Sequence, residues 1–172
     1  MKERGQKWLK LWDPSVYLPN AKMPFLWVDG TNDFAYPLNS VQKSYRLPPG
    51  QRTLVTRLRM PHGHGGPGEN PEEIRVFADF MLKSGLPLAK IGKSGRNGQT
   101  AWAEFASKTP IATAELLFTK ADGAWKDRLW ETSPAKIEGR KIVATVPDGA
   151  TAWFLNLVDE RGLVVSSEMA QR

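Results

Sequence analysis

Residues 23–33 (MPFLWVDGTND) carry the clearest fold signal in the first half of this chain. It opens with a continuous apolar run that ends at Asp29 and Gly30. A run that is apolar on both faces is typical of a parallel strand buried inside a sheet. Residues 53–60 (TLVTRLRM) predict a second strand, because β-branched and apolar side chains dominate there. The two segments together predict a pair of parallel strands.

Helical patterns lie between and after these two strands. Residues 37–47 begin with a proline, carry apolar side chains at helical spacing and stop at residues 48–50 (PPG). Residues 70–85 begin with Asn, Pro and two acidic residues, continue with one apolar face and stop at a glycine. The order strand, helix, strand, helix predicts part of a doubly wound α/β sheet.

The pattern of apolar and polar residues changes after Gly85. Short segments of alternating polarity are separated there by turn sequences such as Asp122-Gly123 and Asp148-Gly149. Regularly spaced short strands favour a small β-sandwich of the immunoglobulin or fibronectin type. The predicted fold class is therefore α/β plus all-β, with a partial α/β domain over residues 1–85 and a β-sandwich over residues 86–172.

Composition narrows the classes of function. The 172 residues carry a net charge of +6, but the basic residues are scattered, so we expect no nucleic-acid partner. No apolar run approaches the roughly 18 residues that span a bilayer, and we expect no membrane partner. The absence of cysteine excludes disulfides and a cysteine nucleophile. Residues 1–10 lack the apolar segment of a signal peptide, which leaves the native compartment unknown.

Candidate catalytic side chains follow the two predicted strands. Asp33 comes just after the first strand, and His62 and His64 come just after the second. The carboxyl ends of neighbouring parallel strands meet at the same edge of a sheet, where ligands and catalytic groups gather. The sequence therefore predicts that Asp33 meets one of the two histidines.

Simpler interpretations of the same residues stay open. Asp33 could cap the following helix, and both histidines could be surface polar groups. His62, His64 and a nearby carboxylate could also form a three-ligand zinc set. Because a His-x-His loop by itself is a weak signal, we expect neither a metal nor another cofactor.

Three stretches carry a resemblance to a known family: WDPS (residues 12–15), VDGTNDFAYP (residues 28–37) and MPHGHG (residues 60–65). Together they resemble the C-terminal part of α/β-hydrolases, in particular the acetylxylan-esterase-like and prolyl-oligopeptidase-like serine hydrolases of bacteria. The resemblance covers about half of the chain. It implies the C-terminal part of an α/β-hydrolase sheet, and triad members in the order serine, acid, histidine.

The resemblance also implies roles for individual residues. Asp33 matches the triad acid, and His64 before Gly65 best matches the triad histidine. His62 before Gly63 is the competing candidate. The implied aspartate accepts the Nδ1 proton of the imidazole, and the other ring nitrogen faces the nucleophilic serine.

The family's nucleophile motif is missing. No G-x-S-x-G occurs in the sequence, nor do the upstream sheet strands that the family leads us to expect, and the family's oxyanion hole comes from earlier loops. The resemblance therefore implies part of a serine ester hydrolase that supplies the acid and the histidine. An ester would be the substrate of the complete enzyme, for which a bacterial secreted or periplasmic location is implied. We expect no or very weak esterase activity from this chain alone.

The competing hypothesis is a non-catalytic binding or structural module. Trp102, Trp125, Trp130 and Trp153 could stack on sugar rings, although Trp153 in residues 151–158 (TAWFLNLV) is more typical of a core position.

Self-association is a further expectation. Two parallel strands and a few helices cannot cover a strand that is apolar on both faces, and an open strand edge pairs readily with another chain. We therefore expect a homo-oligomer, most simply a two-fold dimer built on residues 25–28.

Overall fold

The computed structural model describes residues 3–63 and 70–172. Of these, 38% lie in strands and 24% in helices, so the protein is mostly β. The expected C-terminal part of an α/β-hydrolase sheet is wrong, because the described parallel strands number only two and form no larger parallel sheet. The position of the domain boundary near Gly85 stays a prediction.

Strands make up most of the regular structure. In chain order they are β1 (Phe25–Gly30), β2 (Arg52–Arg57), β3 (Lys90–Asn97), β4 (Thr100–Ala106), β5 (Ile111–Thr119), β6 (Trp130–Pro134), β7 (Lys136–Glu138), β8 (Lys141–Thr145), β9 (Ala152–Asp159), β10 (Val164–Ser166) and β11 (Ala170–Gln171).

Helices are short and lie mostly in the first half of the chain. The α-helices are α1 (Glu3–Trp12), α2 (Pro14–Tyr17), α3 (Leu38–Tyr45) and α4 (Glu72–Leu82), and 3₁₀ turns occupy Leu18–Asn20 and Trp125–Asp127. Within the described ranges, no helix has the length and apolar character needed to cross a membrane.

Two antiparallel sheets form a sandwich. One has the strand order β3-β4-β8-β7, and the other has the order β10-β9-β5-β6 with β11 also paired to β9. Their facing side chains form one buried cluster that includes Ala103 and Ile142 from the first sheet and Leu116, Leu155 and Leu157 from the second. Burial of each large apolar side chain contributes about 1.5–3 kcal/mol, so this cluster is a major source of stability.

The parallel pair of strands is present, as the sequence predicts. β1 and β2 run parallel in a register that pairs Phe25 with Arg52 and Gly30 with Arg57, and α3 lies in the connection between them. β1 is only half-buried until its last two residues, whereas the four central residues of β2 are buried. The described residues therefore do not enclose the apolar run of β1 on both faces.

Side chains of the sandwich complete the hydrogen bonding of β2. The backbone N–H of Thr56 donates to Ser166 Oγ at 2.8 Å, and Asn156 Nδ2 donates to the Thr56 carbonyl at 3.0 Å. Ser166 Oγ in turn donates to Asn156 Oδ1 at 2.6 Å, and all of these groups are buried. Buried backbone groups need partners, and here the partners come from β9 and β10 instead of a third parallel strand. This is the physical reason why the α/β expectation fails.

A buried glutamate ties α4 to both β2 and the sandwich. Glu73 is fully buried, and its Oε1 accepts hydrogen bonds from Arg57 Nη2 at 2.5 Å and from the backbone N–H of Val164 at 2.7 Å. The sequence predicts Glu73 in the first turn of a helix, where its negative charge would interact favourably with the helix dipole. In the structure its carboxylate instead satisfies groups of β2 and β10.

Candidate active site

The loops that follow β1 and β2 are held against each other. The backbone N–H of Thr31 donates to the Arg57 carbonyl at 3.0 Å, and the N–H of Arg59 donates to Thr31 Oγ1 at 2.9 Å. Arg59 has a positive φ of 51°, which is uncommon for a residue other than glycine and turns the chain sharply after β2. These contacts fix the first loop relative to the second.

Asp33 organises the loop after β1. Its Oδ1 accepts hydrogen bonds from the backbone N–H groups of Ala35 at 2.7 Å and Tyr36 at 2.8 Å. Its Oδ2 lies 2.9 Å from His62 Nδ1. The same carboxylate therefore caps a local turn and contacts the imidazole. It does not cap α3, whose N-cap position is occupied by Pro37.

The pKa of Asp33 reflects two opposing effects. Burial of the side chain raises this pKa, because it removes water from the charged form. Hydrogen bonds from Tyr36, His62 and Ala35 and the charge interaction with His62 outweigh that effect, so the pKa lies below its ordinary value. Asp33 is consequently a carboxylate at neutral pH and a strong acceptor for the imidazole.

His62 is partly exposed and sits among aromatic rings. The ring centroid of Phe34 lies 5.2 Å from the imidazole and that of Tyr36 lies 5.5 Å away, and both aromatic side chains are exposed. His64, which the sequence favoured as the partner of Asp33, lies outside the described residues. Its pairing with Asp33 stays a prediction.

Asn32 connects the site to the sandwich. Its Nδ2 donates to the backbone carbonyls of Arg128 at 2.8 Å and Lys126 at 3.1 Å, and its Oδ1 accepts from Thr31 Oγ1 at 2.8 Å. The guanidinium of Arg128 also lies 3.7 Å from the ring centroid of Trp125, which stabilises this turn of the sandwich. No local pattern in the sequence signals this role of Asn32, because the two carbonyls that its Nδ2 contacts are more than 90 positions away.

Asp29 is a buried acid behind the Asp33–His62 contact. It is 3% exposed, and its Oδ1 accepts a hydrogen bond from the Gly30 N–H at 2.8 Å. Burial raises the pKa of Asp29 to about 8; the Gly30 hydrogen bond lowers this pKa, and the charge of Asp33 raises it further. In the sequence, Asp29 indicates only the end of a strand. An acidic residue directly after an apolar run was the signal that it could be buried.

A cavity of about 320 Å³ adjoins the site. Its wall includes Trp27, Asp29, Asp33, Tyr36 and His62. A pocket of this kind, with apolar walls and a few converging polar groups, is the usual form of a small-molecule site. The geometry therefore combines a carboxylate–imidazole pair with space for a ligand beside it.

A larger cavity is less suited to chemistry. It measures about 580 Å³ and lies between the end of β2, the start of α4 and the sandwich, with Arg57, Asn70 and Glu115 in its wall. Neither Asp33 nor His62 lines it. Pocket size by itself therefore does not identify the candidate site.

The described residues provide no metal centre. Within residues 3–63 and 70–172 there is no group of three or more His, Asp or Glu side chains that could hold an ion. The zinc hypothesis requires His64, which falls outside these ranges.

Comparisons with known proteins give only distant similarities. No protein-family model and no curated protein matches the chain. The crystal structure of a carbohydrate acetylesterase from Xanthomonas citri is similar over 87% of this chain and 41% of that protein, with 15% identity and a TM-score of 0.49.

Two crystal structures of OgpA from Akkermansia muciniphila are similar over 51% of this chain. The identities are 10% and 11%, the TM-scores are 0.33 and 0.34, and the chain covers 28% and 27% of OgpA. The chain therefore spans less than half the length of each of these proteins. Similarity at this level assigns neither a family nor an activity.

Proposed function

We propose that Asp33 and His62 form the acid–base pair of a serine ester hydrolase. The observation that carries the proposal is the 2.9 Å contact between Asp33 Oδ2 and His62 Nδ1. Such a contact fixes the tautomer of the imidazole, because the carboxylate accepts the Nδ1 proton. Nε2 is then the atom that takes a proton from a nucleophile and returns it to the leaving alcohol.

The surroundings of Asp33 support this role. Its second oxygen is held by the backbone N–H groups of Ala35 and Tyr36, so the carboxylate does not have to reorganise when the imidazole becomes charged. Its lowered pKa keeps it ionised at the pH at which a histidine acts as a base. A buried, ionised and positioned acid is what an imidazolium needs to be stabilised.

His62 replaces His64 as the preferred base in this proposal. The sequence resemblance favours His64. Among the described residues, however, it is His62 whose Nδ1 contacts Asp33 Oδ2. His64 stays a candidate that the experiment below includes.

The nucleophile is the missing component. No G-x-S-x-G motif occurs among the 172 residues, so neither an activated serine nor its adjoining oxyanion-hole amide is identified. Loss of an oxyanion-hole donor alone costs roughly 10²–10³-fold in rate. We therefore expect this chain by itself to hydrolyse esters very weakly or not at all. Short acyl esters, including acetylated carbohydrates, are the substrate class that the sequence resemblance suggests for the complete enzyme.

The binding-module alternative has less support. Trp130 and Trp153 are 1% and 5% exposed, so neither ring is available as a platform for a sugar. The prediction that Trp153 belongs to the core is confirmed. Trp102 and Trp125 are half-buried, and the cations of Lys141 and Arg128 lie over their rings.

The test is an ester hydrolysis assay with 4-nitrophenyl acetate. It compares this chain with a longer protein that includes whatever coding sequence precedes it in frame. We expect turnover only from a longer protein that contains a G-x-S-x-G segment. In that protein His62→Gln lowers kcat about 10²–10⁴-fold, the range of general base catalysis. Asp33→Asn also lowers kcat strongly, because it no longer fixes the tautomer of His62.

Two controls make the assay decisive. Asp148→Asn changes an exposed aspartate in the turn between β8 and β9 and leaves kcat unchanged. His64→Gln leaves at least a tenth of the activity if His62 is the base. Full activity of the His62→Gln variant would refute the assignment, and robust turnover by the present chain would refute the expectation of a missing nucleophile.

A further inference from the structure

The loop of Asp33 is tied to the β-sandwich by the residue that precedes it. Asn32 is half-buried, and its Nδ2 donates hydrogen bonds to the backbone carbonyls of Arg128 at 2.8 Å and Lys126 at 3.1 Å. Its Oδ1 accepts a hydrogen bond from Thr31 Oγ1 at 2.8 Å. The carboxamide is therefore held at both ends, and Asp33 follows it directly in the chain.

The loop of His62 is tied to the same stretch of the sandwich. Arg59 lies shortly before His62, and its Nη2 donates a hydrogen bond to the Trp130 carbonyl at 3.1 Å. Its backbone N–H donates to Thr31 Oγ1 at 2.9 Å, so Thr31 joins the two loops. Residues 126–130 thus contact both loops that carry the candidate pair.

The turn between β5 and β6, which supplies these carbonyls, is itself fixed to the sandwich core. Arg128 donates hydrogen bonds to the backbone carbonyls of Gly123 at 2.9 Å and Asp122 at 3.3 Å. The rings of Trp125 and Trp130 stack with their centroids 6.4 Å apart, and Trp130 is fully buried. The turn is therefore a suitable support for the two loops.

The strands β1 and β2 need such a support to fix their loops. Among the described strands they form a sheet of two, and an isolated pair of strands is marginally stable at best. Catalytic groups, in contrast, have to be held within about 0.5 Å of the productive geometry by the residues around them. The hydrogen bonds from the sandwich turn supply a restraint that the parallel pair lacks.

We propose that Asn32 and Arg59 are positioning residues, which keep Asp33 and His62 in contact by fixing both loops to the turn between β5 and β6. This inference rests on the proposed function, because it concerns the same acid–base pair. The sandwich is then a part of the site and not only an attached module. The competing interpretation is that these hydrogen bonds stabilise the fold without affecting the imidazole.

NMR spectroscopy of the His62 imidazole separates the two roles. In the ¹⁵N-labelled chain at pH 9, two-bond ¹H–¹⁵N correlations give the ratio of the two neutral tautomers, and His62→Gln assigns the signals. We expect the Nδ1–H tautomer to predominate, because Asp33 accepts that proton. Asn32→Ala and Arg59→Met each lower the ratio of Nδ1–H to Nε2–H roughly fivefold, because the hydrogen bond to the carboxylate is weakened.

A variant in the sandwich provides an independent arm of the test. Arg128→Gln loosens the turn without changing either loop, and we expect it to lower the tautomer ratio in the same direction. Asn97→Ala at the exposed end of β3 and Arg140→Gln in the exposed turn between β7 and β8 are the matched controls, which leave the ratio unchanged.

Urea unfolding of the same variants completes the comparison. A lower unfolding midpoint with an unchanged tautomer ratio in Asn32→Ala and Arg128→Gln would overturn the positioning role and leave the Asp33–His62 pair intact. If Asn32→Ala does not fold, Arg59→Met decides by the same criterion, since Arg59 is exposed. An unsubstituted chain without an excess of the Nδ1–H tautomer would instead refute the pair, and with it both the proposed function and the positioning role.

Discussion

A Cβ atom built on Gly30 would lie 2.0 Å from the backbone carbonyl oxygen of Met60. No side chain tolerates such a contact, so the end of β1 approaches the segment after β2 as closely as backbone atoms permit. This approach brings the loop that carries Asp33 next to the loop that carries His62. The candidate pair therefore depends on a glycine that itself has no chemical role.

Gly30→Ala should separate the two loops. The added methyl group must displace the backbone of Met60, and overpacking of this kind typically costs about 1–3 kcal/mol in the free energy of unfolding. Urea denaturation measures that loss. Gly123→Ala is the matched control, since a Cβ there meets nothing within 4 Å and its φ is not in the left-handed region. Equal stability of the two variants would contradict the close approach.

The charge of Asp33 should contribute to stability in a pH-dependent way. Its pKa is lower in the folded protein than the ordinary value of 3.8, so the folded state favours the ionised form. That contribution is complete above the unfolded pKa and is lost as the pH falls through the folded pKa. Asp33→Asn therefore lowers the free energy of unfolding by roughly 1.5–3 kcal/mol at pH 6, the range for hydrogen bonds to charged groups, and by less at pH 2–3.

Urea unfolding across this pH range checks the Asp33 prediction. Asp148→Asn, at an exposed position, provides the baseline for losing one carboxylate. A difference between Asp33→Asn and the unsubstituted chain that stays constant down to pH 2 would show that the charge is not responsible.

Glu73 should be far more important for folding than its neighbour Glu72. Glu73→Ala leaves Arg57 without its buried partner and the N–H of Val164 without its acceptor. Leaving the buried N–H of Val164 without an acceptor costs about 1–3 kcal/mol, whereas Arg57 regains water because its side chain is 35% exposed. Glu72→Ala removes an exposed pair with Arg75 and should change stability by less than about 0.5 kcal/mol. Similar urea midpoints for the two variants would contradict the role of Glu73.

Self-association stays a prediction. Among the described strands β1 pairs only with β2, so one edge of β1 is available to another chain. Sedimentation velocity at micromolar concentration should detect a dimer, and Phe25→Lys should shift it towards monomer by placing a charge on that strand. Leu82→Lys replaces an exposed apolar residue elsewhere and should have no effect. A monomer at all concentrations would rule out this assembly.

Local patterns in the sequence predicted the elements around the site. The apolar run of β1, the β-branched residues of β2 and the helical spacing between them depend on neighbouring residues. These patterns therefore indicated the parallel pair correctly. They also placed Asp33 and His62 after adjacent strands. The β-rich second half was recognisable from its alternating segments and turns.

Periodicity and turn chemistry act over a few residues, so local sequence predicts which segments form strands and which polar residues follow them. What those strands pair with depends on tertiary packing. The backbone N–H of Thr56 donates a hydrogen bond to Ser166, 110 positions away. The side chain of Asn32 donates one to the carbonyl of Arg128, 96 positions away. Burial of Asp29 likewise depends on what packs around it. Such contacts depend on the packing of distant segments, which no local pattern encodes, and they turned an expected α/β sheet into a parallel pair attached to a β-sandwich.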